Sequence, residues 1–169
     1  MTASLSTAGP TATPAPDGST AVAPPGLRGH WHHLAACLTR LVPHDALAFI
    51  DRIGIGAIFY LSGRTKVEGW LTVTDGTYAL FRDEYKLPLI PVEVAAHVAV
   101  GAEHLFPLLL FLGLFTRLSA LALLGMTLVI QIFVYPDAWS THLSWAALLL
   151  YLVGRGAGSL SLDRLFRIR

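Results

Sequence analysis

The sequence predicts an all-α integral membrane protein, a four-helix bundle, and three observations carry that prediction. Of its 169 residues, 54% are hydrophobic and only 14% are charged, whereas a soluble domain carries about 45–50% apolar and about 25% charged residues. Mean hydropathy is +0.59, and a soluble chain this short exposes much of its surface and needs charge to cover it. Four apolar blocks lie between the polar stretches, each near the roughly 17–25 residues that cross a bilayer core. The net charge of +1 leaves no basic footprint for nucleic acid. Cys37 is the single cysteine, which excludes an intramolecular disulfide, a CxxC dithiol and a cysteine zinc site. Redox chemistry would therefore need a bound cofactor or a partner.

The elements follow in order. Residues 1–44 are expected to form a mostly disordered tail, because the first 29 are almost all Ala, Thr, Ser, Pro and Gly and cannot bury enough apolar surface to offset ordering entropy. The start is neither basic nor followed by an apolar run, so it is not read as a signal peptide. His30, Trp31, His32 and His33 read as a surface cluster, and no metal site is expected. The membrane domain is placed at 45–169. Its first span is Ala46–Gly63, which contains Asp51 and Arg52.

The polar stretch Arg64–Leu87 mixes charges with Trp70, Tyr78, Phe81 and Tyr85. That mixture suits a membrane interface, so a surface helix or re-entrant cap is predicted. Arg64 and Lys66 are expected to snorkel to the surface. The second and third spans, Pro91–Gly113 and Leu118–Tyr135, form an apolar block too long for one helix at about 1.5 Å per residue. They must fold back at G-L-F-T-R (113–117), with Gly113 left-handed and Thr116 as cap. Pro136 ends the third span, and Asp137 or Ser140 can cap the fourth, Ala138–Gly154. A short surface helix capped by Ser161 closes the chain, with Leu162, Leu165, Phe166 and Ile168 toward lipid.

Four spans put both termini on one side. That side holds Arg28, Arg40, Arg117, Arg155, Arg164, Arg167 and Arg169, against Arg64, Lys66, Arg82 and Lys86 opposite. The positive-inside rule then places both termini in the cytoplasm.

Ionisable groups within spans are costly and usually face the bundle interior with a partner. Arg52 and Glu103 come out roughly 16 and 18 Å below the outer ends of their helices. They are expected to form a structural ion pair at one level, with His104 nearby. A second layer lies closer to the outer face: His97, Gln131 and His142 come out roughly 6–9 Å deep, with Glu93 shallower. Glu93 and His97, one turn apart, share a helix face. This layer is the candidate ligand or proton site, because histidine titrates near neutral pH.

Arg52 followed by small residues, S-G-R-T-K (62–66), Glu103, G-L-F-T-R (113–117), H-L-S-W-A (142–146) and S-L-D (161–163) together resemble the DoxX family of bacterial membrane proteins over about 46–166. The resemblance implies a four-helix bundle in the bacterial cytoplasmic membrane, with Arg52, Lys66, Glu103 and Arg117 as family positions. Relatives include a subunit of an archaeal thiosulfate:quinone oxidoreductase and proteins of redox-stress complexes. The functional expectation is thus a redox-associated membrane protein with quinone as candidate ligand and an oxidoreductase or a second copy as partner. A proton-coupled or small-solute transporter and a ligand-free scaffold are the alternatives.

Overall fold

The computed structural model describes residues 26–168; the disorder expected for residues 1–25 lies outside the described residues. The described residues fall into two units, with the boundary in sequence between Leu38 and Thr39. Helix α1 spans Leu27–Leu41, a correction to the tail expected through residue 44. Leu27, Trp31, Leu34, Leu38 and Leu41 recur at four- and three-residue spacing, which lines one face of a helix. Trp31, Leu34, Leu38 and Leu41 of that stripe are exposed.

The second unit begins with α2 (His44–Arg64). A short antiparallel hairpin follows, β1 (Val67–Glu68) with β2 (Thr72–Val73). Helix α3 (Asp75–Leu80) is capped by Thr74, whose hydroxyl accepts from Thr77 N, and runs into a π-helical turn at Phe81–Tyr85. Then come α4 (Val92–Leu112), α5 (Thr116–Val129), a second π-helical turn at Ile130–Val134, α6 (Trp139–Arg155) and α7 (Leu162–Leu165). Among the described residues, three segments are long and apolar enough to cross a membrane: His44–Arg64, Val92–Leu112 and Thr116–Val134. Helix α6 is shorter, at 17 residues. Helix α2 packs on α4, α4 on α5, α5 on α6 and α6 back on α2. The ring closes around Ile55, Phe59, Leu110, Ala120, Leu123, Leu149 and Leu152.

The α4–α5 turn uses Gly113 at φ 64°, a conformation glycine adopts without Cβ strain. Thr116 does not cap α5. The Asp163 carboxylate does so from the far end of the chain, accepting from Phe115 N at 2.7 Å and Thr116 N at 2.9 Å. Helix α6 opens without a side-chain cap, so neither Asp137 nor Ser140 serves there.

The stagger of α2 against α4 decides where the polar groups meet. A Cβ added at Gly63 would lie 2.9 Å from Glu103, and one at Gly56 would lie 2.7 Å from the Phe111 ring. The end of α2 is therefore level with Glu103, roughly 16 Å along α4 from Val92. The first half of α4 overshoots α2 and is covered instead by the 67–91 segment. Phe81 packs there on Ala95 and Ala96, with Val73, Tyr78, Tyr85 and Leu87 around them.

Candidate functional site

The stagger overturns the expected Arg52–Glu103 ion pair. Glu103 is paired with Lys66: Nζ lies 2.8 Å from Oε2 and 3.0 Å from Oε1. Ser62 closes the triangle, its hydroxyl accepting from Lys66 Nζ at 2.9 Å and donating to Glu103 Oε1 at 3.2 Å. Both charged residues are 4% exposed, so Lys66 does not snorkel. Arg64 does stay at the surface, donating to the carbonyls of Gly69 and Trp70. Arg52 and Glu103 would be level only if α2 and α4 ended at one plane, and the stagger of the two helices separates them.

Arg52 is fully buried and works on backbone. Its Nη1 donates to Leu110 O at 3.0 Å, and its Nη2 donates to Leu160 O at 2.6 Å. A cation suits the unpaired carbonyls at a helix C-terminus. A Cβ at Gly113 would lie 2.4 Å from Arg52 Nη1, so the glycine also makes room for the guanidinium. Arg52 thus ties α2, the end of α4 and the 156–161 loop together. Its neighbour Asp51 is buried, and neither carboxylate oxygen has a hydrogen-bond partner.

The Lys66–Glu103–Ser62 triangle forms part of the wall of a cavity of about 430 Å³. The remaining lining is mostly apolar and aromatic, including Phe59, Phe81, Tyr85, Met126, Tyr135 and Trp145. His142, 5% exposed, lines it too. Its Nδ1 lies 2.7 Å from Gln131 Oε1, and Gln131 Nε2 donates to Pro136 O at 2.7 Å. The amide is oriented by that carbonyl, so it accepts from His142 Nδ1–H. In the tautomer that this bond selects, Nε2 is the acceptor.

Above the triangle, the Tyr135 hydroxyl donates to Glu84, and the Tyr85 and Tyr135 rings meet edge-on at 5.8 Å. Burial pushes the Tyr85 phenol above its ordinary range, with the Glu103 and Glu84 charges adding to it. The hydrogen bond to Glu84, then burial, raises Tyr135. Both phenols therefore stay protonated donors at neutral pH. Val94, Val98 and Val129 line the cavity yet are 52%, 64% and 41% exposed. It therefore opens sideways between α4 and α5, toward apolar surroundings.

Glu93 and His97 stand apart from Gln131 and His142, against the single outer layer expected. Both are exposed; His97 Nδ1 donates to Glu93 O at 2.7 Å, and its Nε2 lies 3.5 Å from the Tyr78 hydroxyl. Ala95, Ala99 and Glu103 face the cavity, and His97 is about 200° round the helix from Ala95 and Ala99. His104 lies on the His97 face but lower, buried against Tyr60 of α2. The face is shared, but α2 ends beneath His97. Among the described residues, no three His, Cys, Asp or Glu side chains come together.

A family model, DoxX, matches residues 47–136, more than half of the chain. The chain belongs to the DoxX family. An uncharacterized protein of Haemophilus influenzae is 34% identical over 119 residues, covering 64% of this chain and 76% of the relative. No solved structure matches the chain. The DoxX match contains Arg52, Lys66, Glu103 and Gln131 and stops short of His142. With its apolar helices, this is a DoxX-family membrane protein in contact with the lipid bilayer.

Proposed function

We propose that this DoxX-family protein is a redox-associated, multi-pass protein of the bacterial cytoplasmic membrane that binds a lipid-soluble quinone in the α2–α4–α5–α6 cavity. The observation that carries the reading is the cavity itself: apolar walls, a sideways opening, and a buried Lys66–Glu103–Ser62 triangle. Its volume falls within the roughly 300–1,000 Å³ usual for small-molecule sites. A scaffold without ligand has no use for such a void, since interiors close-pack.

The residues present fit a ring bearing oxygens. Tyr85, whose hydroxyl meets that of Tyr135, would turn its proton to a carbonyl on binding, and the His142 Nε2 lone pair accepts from a hydroxyl. Lys66 and Glu103 offer a charged donor and acceptor that neutralise each other while the cavity is empty of charge. A quinone supplies a two-electron, two-proton couple, and an oxidoreductase partner or a second copy would exchange those electrons. In this reading all four long helices cross the membrane, α6 with the help of its flanking turns. Both termini are cytoplasmic.

The reading is tested by purifying the full chain in mild detergent and identifying co-purified lipid-soluble molecules by mass spectrometry. A stoichiometric quinone supports it. A preparation that carries none, and whose Trp145 fluorescence is unmoved by added short-chain quinone, overturns it.

A further inference from the structure

A second pocket lies at the opposite end of the bundle from the cap, where α2 begins, α5 begins and α6 ends. Its walls mix apolar surface with charged side chains, and its volume is about 500 Å³. Three arginines are among the residues that line it: Arg117, Arg155 and Arg164. The two carboxylates in its wall are already engaged. Asp163 caps α5, and Asp45 accepts from Ser159 N at 2.7 Å with Arg164 in electrostatic reach. Among the described residues, Arg117 and Arg155 are left without a carboxylate.

Arg117 is held in place. Its Nη1 donates to Val153 O and to Gly154 O, the free carbonyls at the end of α6. Its Nε and Nη2 run alongside Gly156, where an added Cβ would lie 3.4–3.6 Å from the guanidinium. Gly156 has φ 78° and ψ −167°, a backbone conformation that is essentially glycine-only. The glycine therefore leaves the guanidinium face uncovered. Phe115 and Leu118 of the lining are exposed, as are Leu165 and Phe166, which follow Arg164 in the chain. A pre-set arginine fork beside a bare apolar rim is the chemistry for a phosphate that carries acyl chains.

We propose that this pocket binds the phosphate of an anionic phospholipid, held by Arg117 and Arg155, with its acyl chains against the apolar rim. The test uses the full chain in neutral detergent, titrated with phosphatidylglycerol or phosphatidylcholine and read by native mass spectrometry. The expected result is saturable retention of phosphatidylglycerol over phosphatidylcholine. Arg155→Gln should weaken it about fivefold and Arg117→Gln/Arg155→Gln about thirtyfold, at roughly one surface-arginine contribution each. Among the described residues the Arg155 side chain makes no hydrogen bond, so Arg155→Gln keeps the test independent of folding. Arg82→Gln, at the cap end, should change nothing. Equal retention of both lipids, or unchanged retention in Arg155→Gln, overturns the proposal. Displacement by millimolar inorganic phosphate also overturns it, since the site would then be one for the free anion.

Discussion

Removing one member of the Lys66–Glu103 pair should damage the protein far more than removing both. The ammonium and carboxylate are 2.8 Å apart and each side chain is 5% exposed. Glu103→Gln strands the Lys66 charge in an apolar wall, and Lys66→Met strands the Glu103 charge. Breaking a buried pair in this way costs about 3–5 kcal/mol, whereas replacing both partners by apolar groups is often close to neutral. For a chain of this size each kcal/mol moves Tm by about 2–4 °C, so the single variants should melt about 6–20 °C lower. Lys66→Met/Glu103→Leu should recover most of that loss. The assay is thermal unfolding of the full chain in one detergent, run as a double-mutant cycle. Single variants that melt with the wild type, or losses that simply add in the double variant, would refute the pairing.

Other outcomes follow from the same geometry. Arg52→Lys keeps the charge but loses the fork that reaches Leu110 O and Leu160 O, so unfolding should show a loss of about 1–3 kcal/mol. Gly113→Ala should destabilise by at least about 1 kcal/mol, measured the same way, since it meets both a positive φ and the Arg52 guanidinium. Asp163→Asn keeps one of two accepting oxygens at the start of α5 and should cost about 1 kcal/mol. Tyr85 is raised by burial, so its contribution is whole below the ordinary phenol value of about 10 and is lost as pH rises from there through the folded value. Spectrophotometric titration of Tyr85→Phe should accordingly lack one late-ionising phenol.

What the sequence makes legible is local. The turn at 113–117 is readable because a glycine interrupts an apolar block too long for one span. The cap over 67–91 is readable from aromatics mixed with charge. Helix α1 escapes because the H-W-H-H cluster masks a Leu–Trp–Leu stripe set in a polar context. The pairing of Glu103 escapes because it depends on the slide of α2 along α4, which small residues at 56 and 63 permit but do not announce. Lys66 follows the end of a span, so it reads as a surface cation until the cap is seen to fold over it. The signal that was present is Ser62 four residues before Lys66, a polar pair on one helical face. Asp163 as the α5 cap is a contact between distant segments, and no local pattern at Thr116 points to it.

The most direct test of the account fills the cavity. Ala99 lines it and lies one turn before Glu103, so Ala99→Phe places a ring in the void without touching the ion pair. Short-chain quinone is titrated against wild type and Ala99→Phe, with Trp145 fluorescence as the readout and unfolding as the check on folding. The account predicts saturable quenching in the wild type, and its loss in a variant that still folds. Equal quenching in both proteins would contradict it, because the ligand would then bind elsewhere.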